Sequence, residues 1–213
     1  MSLKPSIAVD LLIAPNCPHC ANVMQVLTTM IKDSEIASLR IRNLGELPEL
    51  ATELNIKSVP WVKIGPFELT GSMSKTELNT WIKRVNSEDG MKQYFISLFA
   101  EGELDKATQL IYNTPDLLKI FPEMIADEST PLGAKIGIGA ILEDLQGKKE
   151  LLPLISDLAK LSESPVNNIR LDACYYLGLT ESIKAKPYIQ KLLNDKDKEV
   201  RETAEDALQM LKS

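Results

Sequence analysis

The sequence predicts a chain in two parts: an α/β unit of order βαβαββα over residues 1–88 and an all-α unit of helical repeats over residues 89–213. Three observations carry this division. Up to Ser87-Glu88-Asp89-Gly90 the hydrophobic period switches between strand and helix values every ten or so residues, and beyond it only the helical period persists. Charge divides at the same place. Residues 1–88 hold nine basic and nine acidic side chains, so the remaining 15 basic and 21 acidic ones put the whole net charge of −6 into the second part. Finally, the second part resembles itself at offsets of 31–35 residues, which is the mark of a stacked array.

The elements of the first part follow in order. Ile7 to Ala14 is a β-rich run closed by the turn pair Pro15-Asn16. Beyond Cys17-Pro18-His19-Cys20, the apolar residues Val23, Met24, Val26, Leu27, Met30 and Ile31 recur at three and four, a helix with one buried face. Leu39-Arg-Ile-Arg42 alternates strictly and reads as a strand with one wetter face. Pro48 to Leu54 is a short helix with proline in its first turn, closed by Asn55. Val62-Lys-Ile64 and Phe67-Glu-Leu69 flank Gly65-Pro66 and pair as a hairpin. Ser74 followed by Glu77 has the capping-box spacing, and Leu78, Trp81, Ile82 and Val85 form the buried stripe of a last helix.

Composition excludes several functions. A net charge of −6 argues against a protein built to grip a polyanion, so no nucleic-acid partner is expected. One histidine is too few for zinc sites with two or more imidazoles, and no metal is expected. No run approaches eighteen apolar residues, so no membrane partner is expected either. The opening Met-Ser-Leu-Lys-Pro, followed by a run interrupted at Asp10, does not read as a signal peptide, and the cytoplasm is the expected location. Three cysteines make no disulfide framework, so their spacing is what matters.

The dithiol after the first strand, the Val59-Pro60 pair at the start of the hairpin and Gly71-Ser-Met-Ser-Lys75 opening the final helix together resemble the thioredoxin superfamily over residues 6–86. The resemblance implies a central mixed sheet, a cis-proline at Pro60, and a redox-active disulfide between Cys17 and Cys20 that needs no further cofactor. It also implies their roles. Cys17 is the nucleophile, favoured as thiolate by helix N-terminal amides and dipole, and Cys20 resolves the mixed disulfide. Pro18 and His19 tune the thiolate, since a positive charge on His19 stabilises the reduced form and makes the pair more oxidising. The Pro-His spacer is similar to that of periplasmic Dsb-type oxidases. Val59 and Pro60 offer backbone to an extended substrate, and Trp61 either walls the site or packs in the core. Two departures stand out: thioredoxins proper carry Trp before the first Cys and a buried Asp six positions before it, where this sequence has Asn16 and Leu11. Asp10 has the opposite strand parity and does not replace that acid.

In the second part, Ile169-Arg170, Ala173 and Leu177 superpose on Val200-Arg201, Ala204 and Leu208 at an offset of 31, with a looser copy at Ala134-Lys135, Ile138 and Leu142. The pattern resembles short HEAT-like repeats, including those of phycobilin lyase relatives, whose units must stack to cover their apolar faces. Residues 91–125 read as a divergent first unit and the last helix as a polar cap. Gly137 and Gly139 are expected to let helices approach, Cys174 to be structural, and Arg170 and Arg201 to bridge neighbouring units through carboxylates.

Two functions follow. One is a thiol-disulfide oxidoreductase acting on protein disulfides, with the array docking a protein partner, one with a basic surface being the charge-complementary choice, and with a thiol reductase or glutathione recycling the site. The other is a HEAT-like interaction scaffold whose dithiol senses redox state or is vestigial. A glutaredoxin-like iron–sulfur cluster is disfavoured by the Pro-His spacer and the lack of further ligands.

Overall fold

The computed structural model describes residues 7–211, so the Met-Ser-Leu-Lys-Pro opening lies outside it. The chain divides into two compact units, one ending at Met91 and one beginning at Lys92.

The first unit has the expected βαβαββα order: β1 (Ala8–Ile13), α1 (Cys20–Lys32), β2 (Ser38–Asn43), α2 (Glu49–Glu53), β3 (Trp61–Ile64), β4 (Phe67–Thr70) and α3 (Lys75–Arg84). Its sheet is mixed, in the order β2-β1-β3-β4. β1 and β2 run parallel, which requires a crossover, and α1 supplies it. β3 is antiparallel to β1 with Leu11 opposite Val62 and Leu12 opposite Trp61. β1 suits a strand covered on both faces: Val9 and Leu11 on one face and Leu12 on the other are all buried. The two-residue loop Gly65-Pro66 joins β3 to β4, with Gly65 at φ +57, the first position where such hairpins take glycine.

The helices are anchored by the residues their patterns single out. α1 buries Cys20, Val23, Leu27 and Met30. Ser74 and Glu77 cap α3 reciprocally, and the hydrogen bonds from the Ser74 hydroxyl and amide hold the Glu77 carboxyl below its ordinary range. Leu78 and Trp81 then pack under the sheet, with the Trp81 ring 5.1 Å from that of Phe67.

β2 departs from its one-face reading. Ile41 is 40% exposed, and the strand contains no buried residue. It lies at the sheet edge, with one neighbour only, and its charges are used sideways: Arg40 and Arg42 lie 3.5 and 3.8 Å from the Asp10 carboxylate on β1.

The second unit is helical throughout. It runs α4 (Gly90–Ala100, which carries the division between units in its first turn), α5 (Leu104–Asn113), α6 (Phe121–Ala126), α7 (Leu132–Asp144), α8 (Ile155–Leu161), α9 (Asn167–Leu179), α10 (Lys186–Leu192) and α11 (Lys198–Met210). The offset of 31 reappears as geometry, because α8 and α9 recur as α10 and α11 with the same lengths. The equivalent pairs Ile169 and Val200, and Ala173 and Ala204, are buried. Small residues let neighbours approach. A β-carbon at Gly137 would lie 2.2 Å from the Phe99 ring, and one at Gly178 would lie 2.9 Å from the Ala207 methyl.

Arg170 ties the last two units together. It donates from Nε and Nη2 to the two oxygens of Asp195 at 2.7 Å each, and from Nη1 to the Ser164 carbonyl at 2.9 Å. Both charged side chains are under a tenth exposed. Arg201 repeats only part of this, donating to the Asp195 carbonyl at 2.6 Å. Among the described residues it makes no carboxylate bridge like that of Arg170: the acid facing Arg170 comes from the turn of the following repeat, and α11 belongs to the last repeat described.

A buried charge left without its partner is strongly destabilising. Arg170→Ala is expected to cost about 3–5 kcal/mol in urea denaturation followed by far-UV circular dichroism, and Arg170→Ala with Asp195→Ala less than Arg170→Ala alone. The Arg170 hydrogen bonds hold Asp195 at about 2, below its ordinary 3.8. Its contribution is therefore complete at neutral pH and is lost as pH falls from 3.8 towards 2. An Arg170→Ala protein of wild-type stability would contradict this.

Candidate functional site

β1 delivers the chain to a tight bend. Pro15 lies against Gly45, where a β-carbon would come within 2.7 Å of the proline ring, so glycine alone fits there without moving the loop. Asn16 follows in the left-handed region at φ +62, a conformation asparagine tolerates better than most residues. These two residues aim Cys17, and the pattern of apolar positions marked neither. The Pro-Asn turn signal pointed at the bend but not at its handedness, and Gly45 acts through a neighbour thirty positions away in sequence.

Cys17 is partly buried, Pro18 and His19 are exposed, and Cys20 is 5% exposed as the first residue of α1. The helix thus starts at Cys20, one turn later than the spacing suggests, and Pro18-His19 form the turn leading into it. His19 occupies the N-cap position, and its side chain makes no capping hydrogen bond. This turn brings the Cys17 and Cys20 Cα atoms to 5.5 Å, and the two sulfurs are joined as a disulfide.

The second half of the site comes from the residues that lead into β3, the strand paired with β1. Cys17 Sγ lies 3.6 Å from the carbonyl oxygen of Val59, 42 positions on, and the Val59–Pro60 peptide bond is cis. In the disulfide the sulfur carries no proton, so this is a contact; a reduced Cys17 can donate its S–H to that oxygen. Pro60 is buried, and its carbonyl accepts from the Gly71 amide at 3.0 Å.

Of the residues singled out from sequence, Cys17, Cys20, Val59 and Pro60 therefore converge, with Pro18 and His19 on the exposed rim. Trp61, 3% exposed, pairs with Leu12 and Thr70 in the sheet and is packed as a core residue. Leu11 is fully buried, and Asp10 is engaged with Arg40 and Arg42.

Residues 7–83 match a family model described as Thioredoxin domain. The N-terminal unit is a thioredoxin-like domain. The match ends within α3, so the helical unit lies outside it. A search of curated proteins found no match to the chain. Fold and disulfide together make this thioredoxin-like domain a candidate for thiol–disulfide redox chemistry.

The third cysteine is different in kind. Cys174 is fully buried in α9, and burial pushes its thiol up to about 12. In the reduced native protein, iodoacetamide at pH 8 is expected to label Cys17 first, Cys20 far more slowly and Cys174 only after denaturation, read by peptide mass spectrometry. Cys174 labelling at the rate of Cys17 would refute this. For the bend, Asn16→Val is expected to cost about 1–3 kcal/mol, because a β-branched residue is strained at positive φ, whereas Asn16→Gly stays within about 1 kcal/mol of wild type. Tryptophan fluorescence reads this selectively, since Trp61 and Trp81 both belong to the first unit.

Proposed function

We propose that the protein is a thiol–disulfide oxidoreductase acting on protein disulfides. The observation that carries the reading is the asymmetry of the pair: a partly accessible Cys17 beside the Val59 carbonyl, bonded to a buried Cys20. In the reducing direction, the Cys17 thiolate attacks one sulfur of a substrate disulfide, forming a mixed disulfide and releasing the first substrate thiolate. The Cys20 thiolate then attacks Cys17 Sγ, closing the Cys17–Cys20 bond and releasing the second thiolate. Two electrons pass to the substrate, and its thiolates take up protons. A thiol reductase or glutathione restores the dithiol.

The surrounding residues act on these steps. The first-turn amides of α1, together with any positive charge on the neighbouring His19, favour thiolate over thiol, which stabilises the reduced pair and raises its oxidising power. Pro18 restricts the turn that holds the sulfurs together. Val59, next to Pro60, offers its backbone to an extended substrate chain. The second unit, read as HEAT-like repeats, docks a protein partner, and tethering raises the effective concentration of a weakly bound target to about the millimolar range. The cytoplasm is the compartment this reading assigns, and there the pair is held mostly reduced.

A second reading has its own support. Leu11 stands where a buried acid would accept the Cys20 proton, and slow deprotonation of Cys20 suits a redox-sensing scaffold better than a fast enzyme. One experiment separates the two. Cys20→Ser is expected to accumulate mixed disulfides on Cys17, and Cys17→Ser to lower catalysed insulin reduction at least a hundredfold, to background. An empty trap together with equal turnover by wild type and Cys17→Ser would overturn the enzyme reading.

A further inference from the structure

The helical unit carries an open groove of about 870 Å³ lined by α7, α9 and the first turn of α11. On α7, Leu132, Ile136 and Ala140 recur every four residues and face it together. Leu132 is 74% exposed and Ile136 64%, the two most exposed large aliphatic side chains among the described residues. Single exposed aliphatic side chains are ordinary, but Leu132 and Ile136 share one groove, which makes it a candidate for a covered surface.

The rim has one dominant sign. Glu128, Glu143, Asp172 and Glu199 line the groove against the single cation Lys135. Tyr175 on α9 donates to Glu143 on α7 at 2.9 Å, which fixes that carboxylate across the groove. Burial pushes the Asp172 carboxyl up, with Lys135 offsetting part of the effect, so a further cation there would be favourable. α7 and α9 each have thirteen residues, about 20 Å of helix, and the groove runs along most of both, from Leu132 to Glu143 and from Asn168 to Tyr176. Such a shape suits an elongated segment better than a small molecule, which needs enclosure.

We infer that this groove docks a basic amphipathic helix of a protein partner, its aliphatic side chains on Leu132 and Ile136 and its Lys or Arg side chains against the acidic rim. This deepens the reading of the helical unit as a docking module and does not depend on the chemistry of the dithiol. For that reason binding is measured on the full-length Cys17→Ser protein.

The probe is a fluorescein-labelled eighteen-residue Leu/Lys peptide with leucines at helical spacing, read by anisotropy. Two controls accompany it: a scramble of the same composition and the same pattern with Glu in place of Lys. The basic amphipathic peptide is expected to bind at least tenfold more tightly than either control, and more weakly as salt rises from about 50 to 300 mM. Ile136→Asp and the charge reversal Glu143→Lys should each weaken it about tenfold or more. Glu205→Lys, exposed on α11 and outside the groove lining, should leave it unchanged. Because Ile136 and Glu143 are exposed, folding is retained, checked by circular dichroism. Equal binding of all three peptides, or wild-type binding by both groove variants, overturns the inference. Insulin reduction by the groove variants on a Cys17 background keeps the two readings apart: turnover without peptide binding removes the groove and leaves the oxidoreductase, while binding without turnover does the reverse.

Discussion

Antiparallel pairing of β1 with β3, in the register that sets Leu12 opposite Trp61, governs where chemistry can take place in the first unit. Cys17 lies five positions beyond Leu12, and Val59 lies two before Trp61. Pairing these strands in that register brings sulfur and carbonyl to 3.6 Å across 42 residues. A slip of one residue would turn every side chain of β3 to the opposite face and break the site along with the core. That register is enforced by burial, since Leu11, Leu12, Trp61 and Val62 are all under 4% exposed. The same apolar contacts therefore stabilise the fold and position the dithiol.

Around that pairing the loops make local concessions. Asn16 accepts a left-handed backbone and Gly45 gives up a side chain so that Pro15 can turn the chain towards α1. Each concession is small beside the apolar burial of the sheet, and Asn16 immediately precedes Cys17. Strain of this kind is tolerated where the neighbouring structure over-determines the conformation.

The second unit relies on a different balance. Its helices pack through small and aliphatic residues, while the last two units are held by Arg170 and Asp195, whose desolvation is offset by two hydrogen bonds to the carboxylate and others to Ser164 and Asn167. Nearly all of the formal charge excess falls in this part of the chain, and four of its carboxylates line one groove with two exposed aliphatics. The division of labour is then physical: a nearly neutral sheet unit with a sulfur pair, and an acidic helical unit with an uncovered apolar floor.

While the Cys17–Cys20 pairing came from the resemblance to the thioredoxin superfamily, the order βαβαββα, the capped start of α3, the Gly65-Pro66 hairpin and the helical offset of 31 were all legible in the sequence, because each depends on residues within one turn, one period or one short loop. Features that depend on which element lies beside which were not. That β2 is an edge, leaving Ile41 exposed, follows from the strand order and not from its alternation. Trp61 is large and apolar enough for a core or for a site wall, and its burial to 3% exposure comes from the packing of the sheet, not from its place in the sequence. Arg170 and Arg201 look equivalent along the chain, yet only Arg170 faces the acid of a following unit. Nothing in the pattern of α7 distinguishes an exposed Ile136 from a buried Ile138, since hydrophobicity records what a side chain prefers, and the packing of neighbours alone decides which preferences are met.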